Sequence, residues 1–547
     1  MRAPTHDVEV EHDVAVAMPD GAVLLTDVFR PVGVPRAPVI LERTPYGRSI
    51  MGLYDPMPRL LAERGYCFVL QAVRGTDGSD GDQSFFAERD DSRAAADWVV
   101  DQDWCDGRLG TYGPSYMGFT QWALASTAPP YLRAMAVLLS STHSSWFQGG
   151  APALELMVNW DLSALNFLHP EREGGFAADD LTPEGIERKQ RRLQEAYLHL
   201  PAGDALLHVA GENHWLFEQQ MAHPSSDDPH WAPFRFGEHF AESRVPTLLV
   251  GAWFDTPLPG MCEDYQALRA LGIPTALRVG GGGHLEGGGE GVAGAVLDWL
   301  DAYVLDASLP DDGDRAPEHP VRVHVQGTGD WRSLADWPPP GAVPTRWYLQ
   351  PEGRLDTREA DRAAEPSRYR YDPADPTPSF GGTGLMTGGR VDNAPLEARD
   401  DVLVFTSDVL SEPLELLGPV SAELYEASSL DHTDFFVRVC DVDADGTSWN
   451  VCDGLQRFDP TTIEPGVIEA GADGGFVARV DLWPIGHRFA AGHRLRVQVS
   501  SGAHPVYARN LGTGEPPATA VTMRAASQVL FHDVARPSAV VLPHFPG

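Results

Sequence analysis

Cysteine is scarce in this chain. Cys67, Cys105, Cys262, Cys440 and Cys452 are the five in 547 residues, and none forms a C-x-x-C pair. A set this odd and scattered makes neither a disulfide framework nor a zinc site. Long apolar runs are absent as well. None reaches the ~18 residues that a spanning helix needs. No apolar stretch follows Met1–Asp7 to suggest a secretory signal. These absences lead us to expect a reducing cytoplasm and no membrane partner. Basic residues are outnumbered, 41 against 78 acidic ones, for a formal net charge of −37. Nucleic-acid binding through phosphates needs a basic face and is therefore excluded as a partner class. The acidic excess serves solubility and only weakly favours neutral or cationic ligands.

What is present is ordinary globular material, 43% hydrophobic and 9% aromatic,. Its length exceeds the roughly 250–300 residues that one core can fill, so two or three domains are expected. Alternation in Val8–Val16, the turn Pro19-Asp20-Gly21 and the run Val23–Phe29 read as an edge hairpin,. Short apolar runs follow at Pro38–Leu41, Cys67–Leu70 and Met135–Leu139, separated by helical stretches such as Met57–Arg64 and Arg93–Val100. Strands alternating with helices imply a mostly parallel sheet.

From Ser145 to about His239 that rhythm gives way to aromatic-rich helices. One carries the stripe Leu154, Met157, Val158, Asp161, Leu162, Leu165, and another spans Glu184–His199,. The rhythm resumes at Val245–Val250 and ends with a helix over Ala293–Val304. Residues 306–320, polar with three prolines, read as a linker,. Strand patterns at Val321–Val325, Phe435–Val439 and Leu495–Val499 then dominate,. The expected fold class is α/β. A hydrolase-type domain at 1–145 and 240–308 would carry a helical cap at 146–239, with an all-β jelly-roll sandwich at 309–547.

The chemistry centres on Arg108–Gly118, a strand-like run entering Gly113-Pro114-Ser115-Tyr116-Met117-Gly118, with a helix pattern over Phe119–Ser126. Strand, sharp turn and helix form the geometry of a nucleophile elbow, which tolerates only small neighbours. Gly113 fits two residues before Ser115. Two residues after it stands Met117, and the next small residue is Gly118. In an α/β-hydrolase the acid and then the histidine follow the serine in the chain. The run Leu248–Val250 leads to Asp255, just past a strand end, where such sheets place their sites,. Leu277–Val279 leads through Gly280–Gly283 to His284. Ser115 is therefore the candidate nucleophile, His284 its general base, and Asp255 the group that orients the imidazole. The backbone N–H of Tyr116 is the first candidate oxyanion donor.

Gly113-Pro114-Ser115-Tyr116-Met117-Gly118 resembles the G-x-S-Y-x-G motif of the cocaine esterase and X-prolyl dipeptidyl-peptidase family of serine hydrolases. The resemblance runs through most of the chain. It includes Asp20-Gly21 to Pro31, Arg43-Thr44-Pro45-Tyr46, Val73–Gly81, Trp98–Gly107 and Phe489–Leu495. It implies Tyr46 as the second oxyanion donor, through its hydroxyl, and the three-part architecture above. Two departures stand out. Gly281-Gly282-Gly283 replaces a frequent Gly-Pro-Trp before the histidine, which predicts a looser loop without an indole wall. Pro257 and Leu258 stand where the amino-ester hydrolases of the family carry acids that hold an ammonium group. Pro257 also replaces an aromatic of the family's esterases, which argues against a matching aromatic pocket.

Asp441-Val-Asp443-Ala-Asp445-Gly446 imitates an EF-hand opening, but its twelfth position is Cys452, so a hairpin turn is expected,. His143, His169, His214, His223 and His230 lack metal-ligand spacing and are expected to be structural. Trp146, Phe147, Trp160, Phe167, Trp215, Phe217, Trp231 and Phe234 should be mostly cap core, with about a third facing a pocket. The expected activity is hydrolysis of a small-molecule ester, or an amide, through an acyl-enzyme, without cofactor or metal. An X-prolyl dipeptidyl-peptidase is the nearer alternative, with Glu155, Asp161 or Glu212 holding the free amine. A catalytically dead binding protein is the remoter one. Whether the chain forms a homo-oligomer stays open.

Overall fold

A computed structural model of the chain describes residues 2–49, 55–168, 183–307, 319–361, 363–386, 388–460, 468–470 and 475–546. The alternating N-terminal segment forms an antiparallel pair, β1 (Val8–Ala17) and β2 (Val23–Pro31), whose register slips between Glu11 and Val14. Six parallel strands follow: β3 (Ala37–Thr44), β4 (Cys67–Ala72), β5 (Cys105–Pro114), β6 (Leu132–Leu138), β7 (Thr247–Ala252) and β8 (Thr275–Gly280). β3, β4 and β7 are buried at every residue, as strands covered on both faces must be,.

The sheet does not stop there. Val321–His324 (β9) pairs in parallel with β8, and Trp331–Leu334 (β10) closes the edge antiparallel to β9. The full order is β1-β2-β4-β3-β5-β6-β7-β8-β9-β10. The run at Val321, expected among the strands of the β domain, therefore pairs into the α/β sheet. A short apolar run carries no label for the sheet it will join. Most of the expected linker, residues 308–318, lies outside the described residues.

Helices cover both faces. Met57–Ala62 (α1) and Val292–Val304 pack on the side of Ile40, Phe68 and Val250. Glu88–Val100 (α2), Tyr116–Ala125 (α3) and Leu258–Ala270 pack on the side of Val39, Leu41 and Leu249. The cap consists of α4 (Leu154–Leu168), α5 (Pro183–Leu198), α6 (Ala205–Ala210) and α7 (Trp215–Ala222). The stripe on α4 is buried as its spacing predicts, against Leu206, Val209, Leu216, Phe217 and Met221.

Beyond β10 the described chain is β-rich. Its longest pairing joins Leu414–Ser428 to Phe476–Phe489 antiparallel. Thr433–Val442 is paired on one side with Ser448–Phe458 and on the other with Arg494–Ser500. This domain shares a core with the α/β sheet. The indole of Trp253, just past β7, donates to His324 O at 2.6 Å and lies flat against Gly486 of the β domain. A Cβ at Gly486 would stand 2.2 Å from that ring.

Gly486→Ala should therefore force the indole or the strand to move, lowering stability by about 1–3 kcal/mol through overpacking. Thermal unfolding of the variant measures this. A midpoint equal to the parent's would mean that the interface yields without cost.

Candidate active site

β5 and α3 meet at Ser115, whose backbone is held at φ 57°, ψ −122°. Few side chains adopt such a turn, and it points the hydroxyl away from the sheet. Close packing sets the small neighbours. A Cβ on Gly113, itself at φ 152°, would meet Met117 Cβ at 2.3 Å. One on Gly118 would meet Ser140 Cβ at 2.4 Å. The second glycine thus serves the contact between α3 and the chain leaving β6. Buried Gln121 ties the elbow down. Its amide donates to Gly113 O and Met117 O at 3.1 Å each and to Ala136 O at 3.2 Å.

Asp255 follows β7 and His284 follows β8, both at the end of the sheet that carries Ser115. The structure brings the three together. His284 Nε2 lies 3.0 Å from Ser115 Oγ, and Nδ1 lies 2.8 Å from Asp255 Oδ1. The Asp255 side chain is fully buried and that of His284 is 13% exposed. Burial alone would push the imidazole pKa down. The charge and hydrogen bond of Asp255, with the charge of Glu155, outweigh it, so His284 is held above its ordinary value. The Asp255 turn is pinned from the β domain, where Trp483 Nε1 donates to Asp255 O at 3.1 Å.

Tyr46, just past β3, brings its hydroxyl into hydrogen-bonding reach of the Ser115 side chain, the Tyr116 N–H and the Trp160 side chain. Burial raises this phenol further above neutrality, against the pull of those hydrogen bonds, so it stays a proton donor. The Tyr46 hydroxyl thus lies beside Ser115, with the Tyr116 N–H within reach of that hydroxyl. An ionic chain holds the Tyr116 side chain from behind. Buried Arg43 contacts the Glu88 carboxylate and donates to Ser92 Oγ at 2.7 Å and Gln71 Oε1 at 2.8 Å. Glu88 Oε1 accepts from Tyr116 OH at 2.7 Å.

Above Ser115 lies a cavity of about 550 Å³. One half is aromatic, formed by Phe85, Phe119, Trp146, Trp160, Trp231 and Phe234. That corrects the expectation drawn from Pro257, which lines the cavity but does not decide its character. Four of the eight cap aromatics face it: Trp146, Trp160, Trp231 and Phe234. Phe147 and Phe217 are core, Trp215 packs beside them, and the side chain of Phe167 lies outside the described residues. Phe85 went unnoticed in the sequence, yet its ring meets Tyr116, Phe119, Trp146, Trp160, Trp215 and Phe234 at 4.9–6.3 Å. The other half is polar, with Ser140–Ser145, Asp227, Arg235, Glu238 and Asp264.

Gly280–Gly283 is closely packed, not loose. Cβ atoms at Gly280, Gly281 and Gly282 would come within 2.3, 2.7 and 2.7 Å of Gly288, His324 and Glu286.

The acids proposed to hold an amine are otherwise placed. Glu155 accepts from the Leu385 and Met386 N–H groups, Asp161 pairs with His214, and Glu212 is exposed and outside the cavity lining. Asp443 closes a hairpin turn, accepting from Asp445 N and Thr447 N at 3.0 Å each. His223 pairs with Asp228 and stacks on His230, His143 lines the cavity, and His169 lies outside the described residues.

Comparison with known proteins bears on the family and the fold. A model of the X-Pro dipeptidyl-peptidase (S15) family matches residues 20–286, and one of its C-terminal non-catalytic domain matches residues 314–541. The cocaine esterase of Rhodococcus sp. (strain MB1 Bresler) is 31% identical, with 92% of this chain and 93% of that protein covered. Two solved structures share the fold at 24% identity. An aminopeptidase from a marine sediment Thaumarchaeota archaeon has a TM-score of 0.83, covering 99% of this chain and 97% of that one. An α-amino acid ester hydrolase has a TM-score of 0.81, covering 100% and 98%.

His284 should take up its proton at a pH above the ~6.5 of an ordinary histidine. Asp255→Asn, by removing the largest raising influence, should move that midpoint downward. Imidazole NMR titration of both proteins checks this, and a midpoint that rises or stays put in the variant would contradict the pairing.

Proposed function

The chain belongs to the cocaine esterase and X-prolyl dipeptidyl-peptidase family of serine hydrolases, and we propose that it cleaves carboxylic esters through an acyl-enzyme. The observation that carries this reading is the single imidazole spanning Ser115 and Asp255, with the Tyr46 hydroxyl beside the serine. His284 takes the Ser115 proton as Oγ attacks the ester carbonyl carbon. The oxyanion that forms accepts from Tyr46 O–H and Tyr116 N–H, and Asp255 stabilises the imidazolium. That imidazolium returns its proton to the departing alkoxide. Water then repeats the cycle on the acyl-serine, releasing the acid and restoring Ser115.

The preference for esters over X-prolyl peptides rests on the pocket. A dipeptide amine needs a carboxylate, and burying an unpaired ammonium beside aromatics costs several kcal/mol. Positions 257 and 258 supply none, Glu155 and Asp161 are already engaged, Asp264 accepts from Thr142, and the other two acids of the lining, Asp227 and Glu238, are solvent-exposed. We assign the chain to a reducing compartment on its five buried, unpaired cysteines,.

Ser115→Ala should lose fluorophosphonate labelling and keep less than about one hundredth of the parent kcat. Tyr46→Phe should lower kcat by about 10²–10³ with little change in KM, since its hydroxyl serves charge present only in the transition state. Retained turnover in either variant would reassign that role.

Specificity is read from kcat/KM on esters with matched acyl groups, with and without a free α-amine. The amine-free member should be preferred. A tenfold preference for the amine would replace the esterase reading with the peptidase one.

A further inference from the structure

Glu155, in the first turn of α4, is 1% exposed and takes no direct part in the steps above. Its carboxylate is nonetheless fully used. Oε2 accepts from Leu385 N at 3.0 Å, and Oε1 accepts from Met386 N and Asn159 Nδ2 at 3.2 Å each. Leu385 and Met386 belong to the β domain. The backbone N–H of Glu155 donates to another β-domain group, Pro505 O, at 3.0 Å. The loop it holds lies against the acid turn, for a Cβ on Gly388 would stand 2.8 Å from Phe254 O. Leu385 and Leu156, the neighbour of Glu155, both line the cavity with His284.

We propose that Glu155 is a positioning residue of this site, pinning the Leu385–Met386 loop as a wall of the substrate pocket. The proposal rests on the acyl-enzyme reading above. Its geometry is a buried carboxylate that two backbone N–H groups of another domain require as acceptor. Removing that acceptor leaves both donors unsatisfied and releases the wall. The charge acts on the imidazole too, as one of the influences that raise it. His284 is bonded to Asp255, from the turn after β7, and to Ser115, at the elbow. Glu286, in the same turn, accepts from Gly283 N.

The test compares the parent with Glu155→Gln and Leu385→Ala on 4-nitrophenyl acetate and 4-nitrophenyl benzoate, with melting curves as a check on folding. Glu155→Gln keeps the shape and removes the charge. The base should then lose its proton more readily, moving the acid limb of kcat/KM downward. KM for the benzoate should rise several-fold relative to the acetate. Leu385→Ala should raise the same KM ratio and leave the acid limb in place. An unchanged benzoate-to-acetate KM ratio in folded Glu155→Gln overturns the proposal, because a merely structural role would lower stability without altering the discrimination between the two esters. Should that variant not fold, an unchanged KM ratio in Leu385→Ala overturns it instead. A parent protein that hydrolyses neither ester and resists fluorophosphonate sinks the acyl-enzyme reading itself.

Discussion

A serine held at positive φ is the constraint around which the rest of this structure is arranged. Strain of that kind costs about 1–3 kcal/mol and persists only where its surroundings leave no alternative. Here they are supplied by α3, of whose ten residues nine are buried. Each large apolar side chain among them contributes about 1.5–3 kcal/mol on burial, so Met117, Trp122 and Leu124 together exceed the strain. Gln121 then removes the freedom to relax, because its amide bonds to both sides of the turn and to β6. The small residues at 113 and 118 follow from how closely α3 approaches its neighbours.

The site that grows from this turn is a junction of three parts. The α/β sheet contributes Ser115, Asp255, His284 and Tyr46 from the ends or flanking turns of four strands. The cap contributes Trp146, Trp160 and Trp231 as pocket walls. The β domain reaches in twice, through Trp483 at the Asp255 carbonyl and through Leu385 at the cavity. The packing of Trp253 on Gly486 holds that domain in register with the strand ends. The reacting groups lie in the sheet, while the cap and the β domain wall the pocket and hold the acid turn.

Legibility in the sequence followed the range of the interaction. Ser115, Asp255 and His284 could be found because an elbow and two strand ends are local patterns with a fixed chain order. Tyr46 could not be found that way, since a tyrosine after a short strand has no distinguishing spacing, and only the family resemblance singled it out. The aromatic pocket was misjudged from Pro257 because its rings come from five separate segments, with Phe85 from the loop before α2 at the centre. The glycine run before His284 was misread for a related reason. A row of glycines looks permissive in sequence, whereas here Gly288, His324 and Glu286 fill the space beside it. The placement of β9 in the first sheet depends on pairing with β8, about forty residues earlier in the chain.

The imidazole at the centre answers two opposed demands. It must be neutral to accept the Ser115 proton, yet its protonated form must be stable once the proton has moved. Burial serves the first demand and carboxylates the second. A base tuned too high would be protonated at working pH, and one tuned too low would pull weakly. One pKa unit corresponds to about 1.4 kcal/mol, so small changes in either influence matter. With Asp255 in direct contact and Glu155 further away, the raising influences prevail. The acid beside the ring sets the coarse balance. A further upward influence comes from Glu155 of the cap, the same element that contributes walls to the substrate pocket.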